Sequence, residues 1–271
     1  MPDTHQVFNQ STPFVDVNLY DADPSLREAV GVLAGTDATT HQTLQRMGAR
    51  YGSAQAQQWA VQANVNKPVL RSFDRFGHRI DEVEFHPAYH QLMDLALGDG
   101  LHASPWAQPG AGAQVRRAAA YHLFGQLENG VQCPVTMTFA VVPVVARQSA
   151  IAPDWLPKLL ANDYEGGVAH VQAKRAVTMG MGMTEKQGGS DVRAGTTRAV
   201  RNGDGSYTLT GHKWFTSAAM SDIFLVLAQA PGGLSCFLLP RVLPDGTRNR
   251  MLIQRLKKTK TNTEFLLSLN R

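Results

Sequence analysis

About the first 160 residues carry apolar side chains at the three- and four-residue spacing of amphipathic helices. Pro24 follows Asp23, an order that suits a first helical turn preceded by a capping carboxylate. The segment 136–148 is apolar on nearly every side, so we expect a buried helix there that Pro143 bends or breaks. We therefore predict a helical domain here, with helices over residues 24–34, 86–97, 116–128, 136–148 and 154–162.

The pattern changes after Gly166 and Gly167, where short runs of alternating apolar and polar residues begin. The turn residues Gly203-Asp204-Gly205 join one pair of runs, and Pro231-Gly232-Gly233 join a second, as in β-hairpins. Short strands at regular spacing indicate a small antiparallel sandwich or barrel. The predicted fold class is α+β, with a helical domain over 1–170, a small antiparallel β domain over 171–257 and a divergent basic tail over 258–271.

Composition limits the class of protein. The chain has 271 residues, of which 43% are hydrophobic, enough for a substantial core. No apolar run approaches the roughly 20 residues of a membrane-spanning helix, and the first residues lack a basic-then-apolar leader. Cys133 and Cys236 are the two cysteines, too few for a disulfide scaffold and suited to a reducing compartment. We expect a cytoplasmic protein with no membrane partner.

The net charge of +4 is unevenly distributed along the chain. Residues 241–271 hold eight Lys and Arg and two acids, whereas the remaining 240 residues hold 18 basic and 20 acidic side chains. The main body is therefore slightly acidic, and it does not have the charge of a nucleic-acid-binding surface. Any electrostatic attraction to phosphates is expected in the tail.

The most glycine-rich stretch is GMGMTEKQGGSDVRAG at residues 180–195. Glycine lets the backbone touch a ligand, and a glycine-rich turn with a serine can cradle a phosphate through its amides. The stretch fits neither of the common nucleotide-binding glycine motifs, so its glycine content alone favours an ordinary loop that joins two domains. Met179, Met181 and Met183 alternate as in a strand and face either a ligand or the core.

The residues themselves resemble two segments of acyl-CoA dehydrogenases. Residues 182–194 (GMTEKQGGSDVRA) are similar to the family's first signature, in which Thr/Ser-Glu precedes a loop closing on Gly-Ser-Asp. Residues 211–217 (GHKWFTS) resemble its second flavin-contact segment. The likeness covers about residues 4–257. It is closest to the AidB branch, associated with the response to alkylation damage, on the segments 4–10, 63–74, 85–93, 133–140 and 211–215.

The resemblance implies a bound FAD. Thr184 would then hydrogen-bond the pyrimidine side of the flavin, Ser190 would contact the diphosphate and Ser217 would lie near N5. Phe215 stands where the family usually has a tryptophan, so ring packing would be kept but an indole hydrogen bond would not. The cofactor-binding residues implied in this way are Met181, Gly182, Met183, Thr184, Gly188, Gly189, Ser190, Phe215, Thr216 and Ser217.

Other chemistry-bearing residues have simpler explanations. Glu185 and Asp191 could form a catalytic pair of carboxylates, but acids beside turn amides are more often local caps. His86 and His90 are four residues apart, a spacing that could ligate a metal, yet no third ligand is evident, and we predict no metal. Cys133 could have a lowered thiol pKa at a helix start, although a buried apolar role is favoured.

The resemblance implies an oxidoreductase that acts on a CH–CH group beside a thioester, with acyl-CoA as substrate and a tetrameric assembly in full-length members. It also implies a C-terminal helical bundle that supplies the catalytic base and completes the flavin site. Here the likeness is lost near Lys258, so the bundle is predicted to be missing and the gene product to be truncated or frameshifted. We assign no catalytic residue, and we expect an unpaired edge on the β domain and weak or no retention of FAD.

Two other functions are compatible with the sequence. The AidB-type likeness implies a DNA-binding protective protein as the alternative to an oxidoreductase. In that branch the DNA-facing basic surface belongs chiefly to the bundle, and a basic tail is more often simply solvated. A non-functional remnant is the third interpretation.

Overall fold

The computed structural model describes residues 6–35, 37–257 and, as backbone, 265–270. The first half of the chain is mainly helical, as predicted. All five predicted helices are present, within a few residues of their expected ends. The helices are α1 Pro24–Ala34, α2 Ala38–Tyr51, α3 Ala54–Val65, α4 Pro87–Gly98, α5 Ser104–Ala107, α6 Ala113–Leu127, α7 Gln132–Ala146 and α8 Ala152–Leu159.

Local chemistry accounts for the start of α1 and the continuity of α7. Asp23 caps α1 by accepting a hydrogen bond from the amide of Leu26 at 2.9 Å. Helix α7 continues through Pro143 to its end, so the prolyl ring does not break it. Pro143 has no N–H for the carbonyl of Phe139, and the Nε1 of Trp106 donates to that carbonyl instead, at 3.0 Å.

The wholly helical interpretation of this half needs correction. Residues Val69–Phe73 (β1) and Arg79–Glu84 (β2) form an antiparallel hairpin. Helices α2 and α3 and the short helix α5 were not predicted. Asp37 and Ser53 cap α2 and α3 by accepting amide hydrogen bonds, so the local signals for both helices are present in the sequence. At the hairpin turn, Oδ1 of Asp74 accepts hydrogen bonds from the amides of Phe76 and His78, at 2.8 and 2.9 Å.

The second half forms one sheet. Both predicted hairpins, β4–β5 and β6–β7, are confirmed. However, β3 runs parallel to β6, so the sheet is mixed rather than purely antiparallel. The strand order is β3-β6-β4-β5-β9-β8. Strand β7 lies off this path and pairs antiparallel with β6. The strands are β3 Met179–Gly182, β4 Arg198–Arg201, β5 Tyr207–Thr216, β6 Ile223–Ala230, β7 Gly233–Pro240, β8 Met251–Leu256 and β9 Phe265–Asn270.

Strand β9 lies within the segment predicted to be a divergent tail. Its backbone pairs antiparallel with both β5 and β8, so β5 is not the edge. Strand β8 ends the strand order, and among the described residues no further strand pairs with its other side, in line with the expected unpaired edge. A strand in that place uses the hydrogen-bonding groups that β5 would otherwise leave open. The other residues of the tail, 258–264 and 271, lie outside the described part of the chain.

Apolar packing fixes β3 against the helical half. Val141 of α7, Met179 of β3 and Ile223 of β6 are buried in one cluster, and Met181 and Met183 pack partly against it. The alternating methionines therefore face the core. Within the described ranges, no helix combines the length and apolarity that crossing a membrane requires.

Candidate functional site

The two motif segments lie side by side. Met181 at the end of β3 forms an antiparallel bridge with Ser217, just beyond β5. The amide of Trp214 donates to the carbonyl of Thr184 at 2.9 Å. A Cβ on Gly182 would lie 3.6 Å from Oγ1 of Thr216, which is ordinary van der Waals contact. Segments separated by some thirty residues thus form one surface, which we call the motif surface (residues 181–191 and 213–218).

Glu185 organises the first segment, as predicted. Its carboxylate oxygens accept hydrogen bonds from the amides and hydroxyls of Thr196 and Thr197, at 2.6–3.0 Å. Burial acts to raise the pKa of Glu185, but these hydrogen bonds, with that of Gln187, outweigh it and hold the pKa well below its usual range. Glu185 is therefore an ionised structural group. Asp191 likewise caps a short turn by accepting the amide of Arg193 at 3.1 Å.

Lys213 connects the first segment to the second. Its Nζ lies 2.9 Å from Oε1 of Glu185, and both side chains are buried. The same Nζ approaches the carbonyl of Met183 at 3.5 Å. A buried ion pair of this kind specifies a geometry more than it adds net stability, since desolvation offsets much of the attraction. Here it fixes the loop that begins at Glu185 against β5.

A β-bulge shapes the second segment. The register between β5 and β9 shifts between Lys213 and Thr216, and the φ angles of Phe215 and Ala218 are 55° and 57°. Left-handed backbone costs about 1–2 kcal/mol in a residue with a Cβ, and such strain concentrates at functional sites. The bulge turns Phe215 outward, leaving it 46% exposed, while Thr216 is buried. Among the described residues, no hydrogen-bond partner reaches Oγ1 of Thr216.

The glycine-rich loop lies open beside this strip. Gly188 has a φ of 143° with open space around it, a conformation that residues with a Cβ rarely adopt. A Cβ on Gly189 would come within 2.8 Å of Oγ1 of Thr184, so only glycine allows the main chain to rest on that side chain. Residues 186–191 are exposed, including the hydroxyl-bearing Ser190. The loop therefore presents main chain and a hydroxyl to solvent.

Three cations lie close to the half-buried ring of Trp214 and the exposed ring of Phe215. The Nζ of Lys186 and the guanidinium of Arg255 each lie 5.8 Å from the ring centroid of Trp214. The Nζ of Lys257 lies 4.6 Å from that of Phe215. Positive charge beside a glycine loop and an aromatic face suits an anionic ligand with a flat ring.

The remaining candidates have structural roles. Nδ1 of His86 accepts the amide of Ala88 and so caps α4, and Nδ1 of His90 is 2.8 Å from the hydroxyl of Tyr164. In the part of the chain that the structure describes, no group of three metal-ligating side chains occurs. Cys133 is a half-buried free thiol.

Comparison with known families identifies the fold. Residues 9–166 match the adaptive response protein AidB N-terminal domain, and residues 180–261 match the acyl-CoA dehydrogenase middle domain. The chain belongs to the acyl-CoA dehydrogenase family, in its AidB branch. The resemblance inferred from the two motif segments is thereby confirmed, and both segments fall within the matched middle domain of this family.

Individual members of the acyl-CoA dehydrogenase family show how far the likeness extends. AidB of Escherichia coli (strain K12) is 48% identical over 257 residues, which is 94% of this chain and 47% of AidB. The crystal structure of Caenorhabditis elegans ACDH-11 in complex with C11-CoA matches this chain with a TM-score of 0.83 and 26% sequence identity. The match covers 99% of this chain and 48% of the ACDH-11 chain. This chain thus spans about half the length of these relatives.

More distant members share the fold. A glutaryl-CoA dehydrogenase from Mycobacterium smegmatis, in complex with FADH2, has a TM-score of 0.59 at 17% identity. The structural match covers 87% of this chain and 53% of the glutaryl-CoA dehydrogenase chain. Because the sequence identity is so low, this match shows a shared fold and nothing more.

Proposed function

We propose that this chain is the flavin-binding part of an FAD-dependent oxidoreductase of acyl-CoA dehydrogenase type. Its substrate would be an acyl-CoA or a related thioester, with hydrogen removed from the CH–CH group beside the carbonyl. The observation that carries this proposal is the motif surface: the two flavin-contact segments of the family form one continuous strip through Met181–Ser217 and Thr184–Trp214.

The residues present fit the cofactor. The main chain at Gly188 and Gly189 and the hydroxyl of Ser190 are exposed and would hold the diphosphate, with Lys186 nearby as counter-charge. Phe215 and Ser217, which the bulge sets beside the loop, would flank the ring system. Bound there, FAD would supply the acceptor for the hydride that leaves the acyl chain.

The other predicted contacts are main-chain contacts or lie underneath the surface. Thr184 rests against Gly189 and would hydrogen-bond the pyrimidine side of the flavin. Because Met181 and Met183 pack toward the helical cluster, we infer that they and Gly182 contribute backbone rather than side chains. Thr216 is buried and would position its neighbours in the bulge.

We assign no catalytic base. Both carboxylates of the glycine-rich segment, Glu185 and Asp191, are engaged by hydrogen bonds and are therefore poor proton acceptors. The chain spans about half the length of its relatives. We therefore propose that removal of the substrate proton requires residues that the described part of the chain does not contain. We propose the same for assembly into a tetramer. We accordingly expect weak FAD retention and no dehydrogenation by this chain alone.

Flavin absorbance and stoichiometry test this proposal. We expect saturable FAD binding in a titration followed by flavin fluorescence, loss of colour on desalting, and no thioester-dependent reduction of an artificial electron acceptor. Ser190→Ala should weaken FAD binding, whereas Ser235→Ala, in the exposed part of β7, should not. FAD binding that is unaffected by Ser190→Ala, or no saturable binding at millimolar FAD, would contradict the proposal.

The DNA-binding alternative stays a prediction. The tail that would carry it lies largely outside the described residues, and the basic side chains beside Trp214 and Phe215 are explained equally well by a diphosphate ligand. A gel-shift titration against salt separates the two functions. DNA affinity that disappears when residues 255–271 are removed would assign it to the tail and not to the flavin fold.

A further inference from the structure

A cavity lies between the helical half and the sheet, next to the end of the motif surface at Ala218. Its volume is about 210 Å3. Its walls come from β2, α4, the start of α7, the loop at residues 164–167 and the turn at residues 218–221 between β5 and β6. We call it the α4 cavity. Because a dry engineered cavity of about 150 Å3 binds benzene, this one has room for a molecule slightly larger than one aromatic ring.

The buried end of the α4 cavity has an unpaired hydroxyl. Ser221 lines the cavity and is 2% exposed, yet no hydrogen-bond partner for its Oγ exists among the described residues. Its position is fixed, because its amide donates to the carbonyl of Ala218 at 2.9 Å. The amide of Asp222 donates to the carbonyl of Thr178 at 3.0 Å, which brings a second hydroxyl-bearing residue to the same wall. A buried hydroxyl without a partner is unfavourable, so a hydrogen-bonding ligand atom would be favoured beside Ser221.

The side walls of the cavity are apolar and partly aromatic. The rings of Phe85 and Tyr89 stack with their centroids 3.9 Å apart and an interplanar angle of 14°. Met93 and Met220 line the cavity with them. The Sδ of Met220 accepts the amide of Val83 at 3.1 Å, which holds this wall against β2. Aromatic rings and thioethers favour contact with a flat, apolar ligand.

The polar pair on the opposite loop is uncharged. Nδ1 of His90 lies 2.8 Å from the hydroxyl of Tyr164, and both residues line the cavity. Burial lowers the pKa of His90 and raises that of Tyr164, so both side chains are neutral at neutral pH. A Cβ on Gly166 would lie 3.3 Å from the Tyr164 hydroxyl, so a glycine lets the loop close tightly against this pair. The pair therefore presents dipoles rather than charges to a ligand.

The carboxylates that line the cavity are already paired with cations. Each lies beside an arginine: Glu82 with Arg248, Glu84 with Arg71 and Glu165 with Arg175. Glu84 is exposed and the other two are half-buried, whereas Ser221 is fully buried, so the acids lie toward the solvent. Among the described residues, no lysine or arginine lines the cavity. The cavity thus offers no positive charge to an anionic ligand.

We propose that the α4 cavity binds a small uncharged molecule with an aromatic ring and one hydroxyl group, of about the size of phenol. The ring would contact the apolar walls, and the hydroxyl would form a hydrogen bond with Oγ of Ser221. This site goes beyond the proposed flavin function, because FAD takes no part in it and its lining disfavours phosphate groups.

Ligand-observed NMR titrations of the chain with phenol, toluene and benzoate test the proposal. We expect saturable binding of phenol, weaker binding of toluene, which has no hydroxyl, and no binding of benzoate, whose charge finds no cation. Ser221→Ala should raise the dissociation constant of phenol roughly threefold to tenfold and leave that of toluene unchanged or lower. Because this hydroxyl has no partner in the described part of the chain, the variant should keep its melting temperature. Ser235→Ala, on β7 and outside the cavity, is the matched control and should bind phenol like the wild type.

Two outcomes would overturn the proposal. The first is phenol binding that Ser221→Ala leaves unchanged, which would place phenol in another cavity. The second is an absence of saturable phenol binding by a chain whose circular dichroism and melting temperature are normal. Ser190→Ala separates this proposal from the flavin proposal, because it should weaken FAD binding while phenol binding is kept.

Discussion

At the residue scale, the pair formed by Glu185 and Lys213 keeps the glycine-rich loop against β5. We predict that Glu185→Gln lowers the free energy of unfolding by roughly 3–5 kcal/mol, because it leaves a buried ammonium without its counter-charge. Urea denaturation measures this loss. The variant Glu185→Gln/Lys213→Met removes both charges and should recover much of it. Equal instability of the single and double variants would show that pairing is not the cause.

The ionised carboxylate of Glu185 should also make the free energy of unfolding depend on pH. Burial opposes ionisation of Glu185, yet its hydrogen bonds lower its folded-state pKa, whereas an unfolded glutamate has a pKa of about 4.3. A lowered folded-state pKa stabilises the fold above the unfolded pKa, and this stabilisation is lost progressively as the pH falls further. The difference in unfolding free energy between wild type and Glu185→Gln should therefore shrink below about pH 4. A constant difference from pH 7 to pH 3 would argue against this account.

The main chain at Gly189 lies close against the side chain of Thr184, and a substitution at Gly189 tests whether FAD binding depends on this contact. A Cβ there would lie 2.8 Å from Oγ1 of Thr184, so Gly189→Ala must push the loop and Thr184 apart. We expect the dissociation constant of FAD to rise about tenfold, as for the loss of roughly one hydrogen bond to a charged group. Fluorescence titration measures it. Gly203→Ala, at an open hairpin turn, is the control, and equal FAD affinity in both variants would disprove the role of Gly189.

The sequence was informative about some of these residues and silent about others. The type and order of residues 182–191 predicted both a cofactor loop and a structural role for Glu185. The burial of Lys213 opposite Glu185 was not foreseeable, because the two residues are 28 positions apart and only the fold brings them together. A lysine within a β-strand pattern is ordinarily a solvated side chain.

At the element scale, α7 continues through a proline because another element takes over a hydrogen bond. We predict that Trp106→Phe costs about 1–3 kcal/mol beyond the change in packing, since the carbonyl of Phe139 then lacks its donor. In a Pro143→Ala background, the new amide of residue 143 can donate to that carbonyl, and the cost of Trp106→Phe should fall. A double-mutant cycle by thermal or urea unfolding measures the coupling. Zero coupling would rule out this compensation.

Elements whose signals are local were the predictable ones. The order Asp23-Pro24 predicted the start of α1, and the turns at 203–205 and 231–233 predicted both hairpins of the sheet. The parallel pairing of β3 with β6 joins segments about forty residues apart and leaves no local signal. The bulge at Phe215 also escapes prediction, because it depends on the register between β5 and β9.

At the scale of the whole molecule, a buried cation links the two halves. The Nζ of Lys174 donates to the carbonyls of Glu165 and Gly167 and lies 2.5 Å from Oδ1 of Asp222. Asp222 also accepts the amide of Thr178 at 2.8 Å, so it ties the loop that follows Ser217 to the end of the helical half.

We predict that Asp222→Asn destabilises the fold by roughly 3–5 kcal/mol, because Lys174 loses its buried partner. It should also weaken FAD binding, because the loop that ends the motif surface is no longer held. Asp204→Asn, at an exposed hairpin turn, serves as the control for unfolding and flavin titration. Unchanged stability in Asp222→Asn would show that this contact is not a link between the halves.

The most direct test of the central claim is amide hydrogen exchange of this chain with and without saturating FAD. If the motif surface holds the cofactor, FAD should slow exchange in residues 182–191 and 213–218 and leave exchange in helices α2 and α6 unchanged. Slower exchange elsewhere, with both segments of the motif surface unaffected, would contradict the flavin assignment.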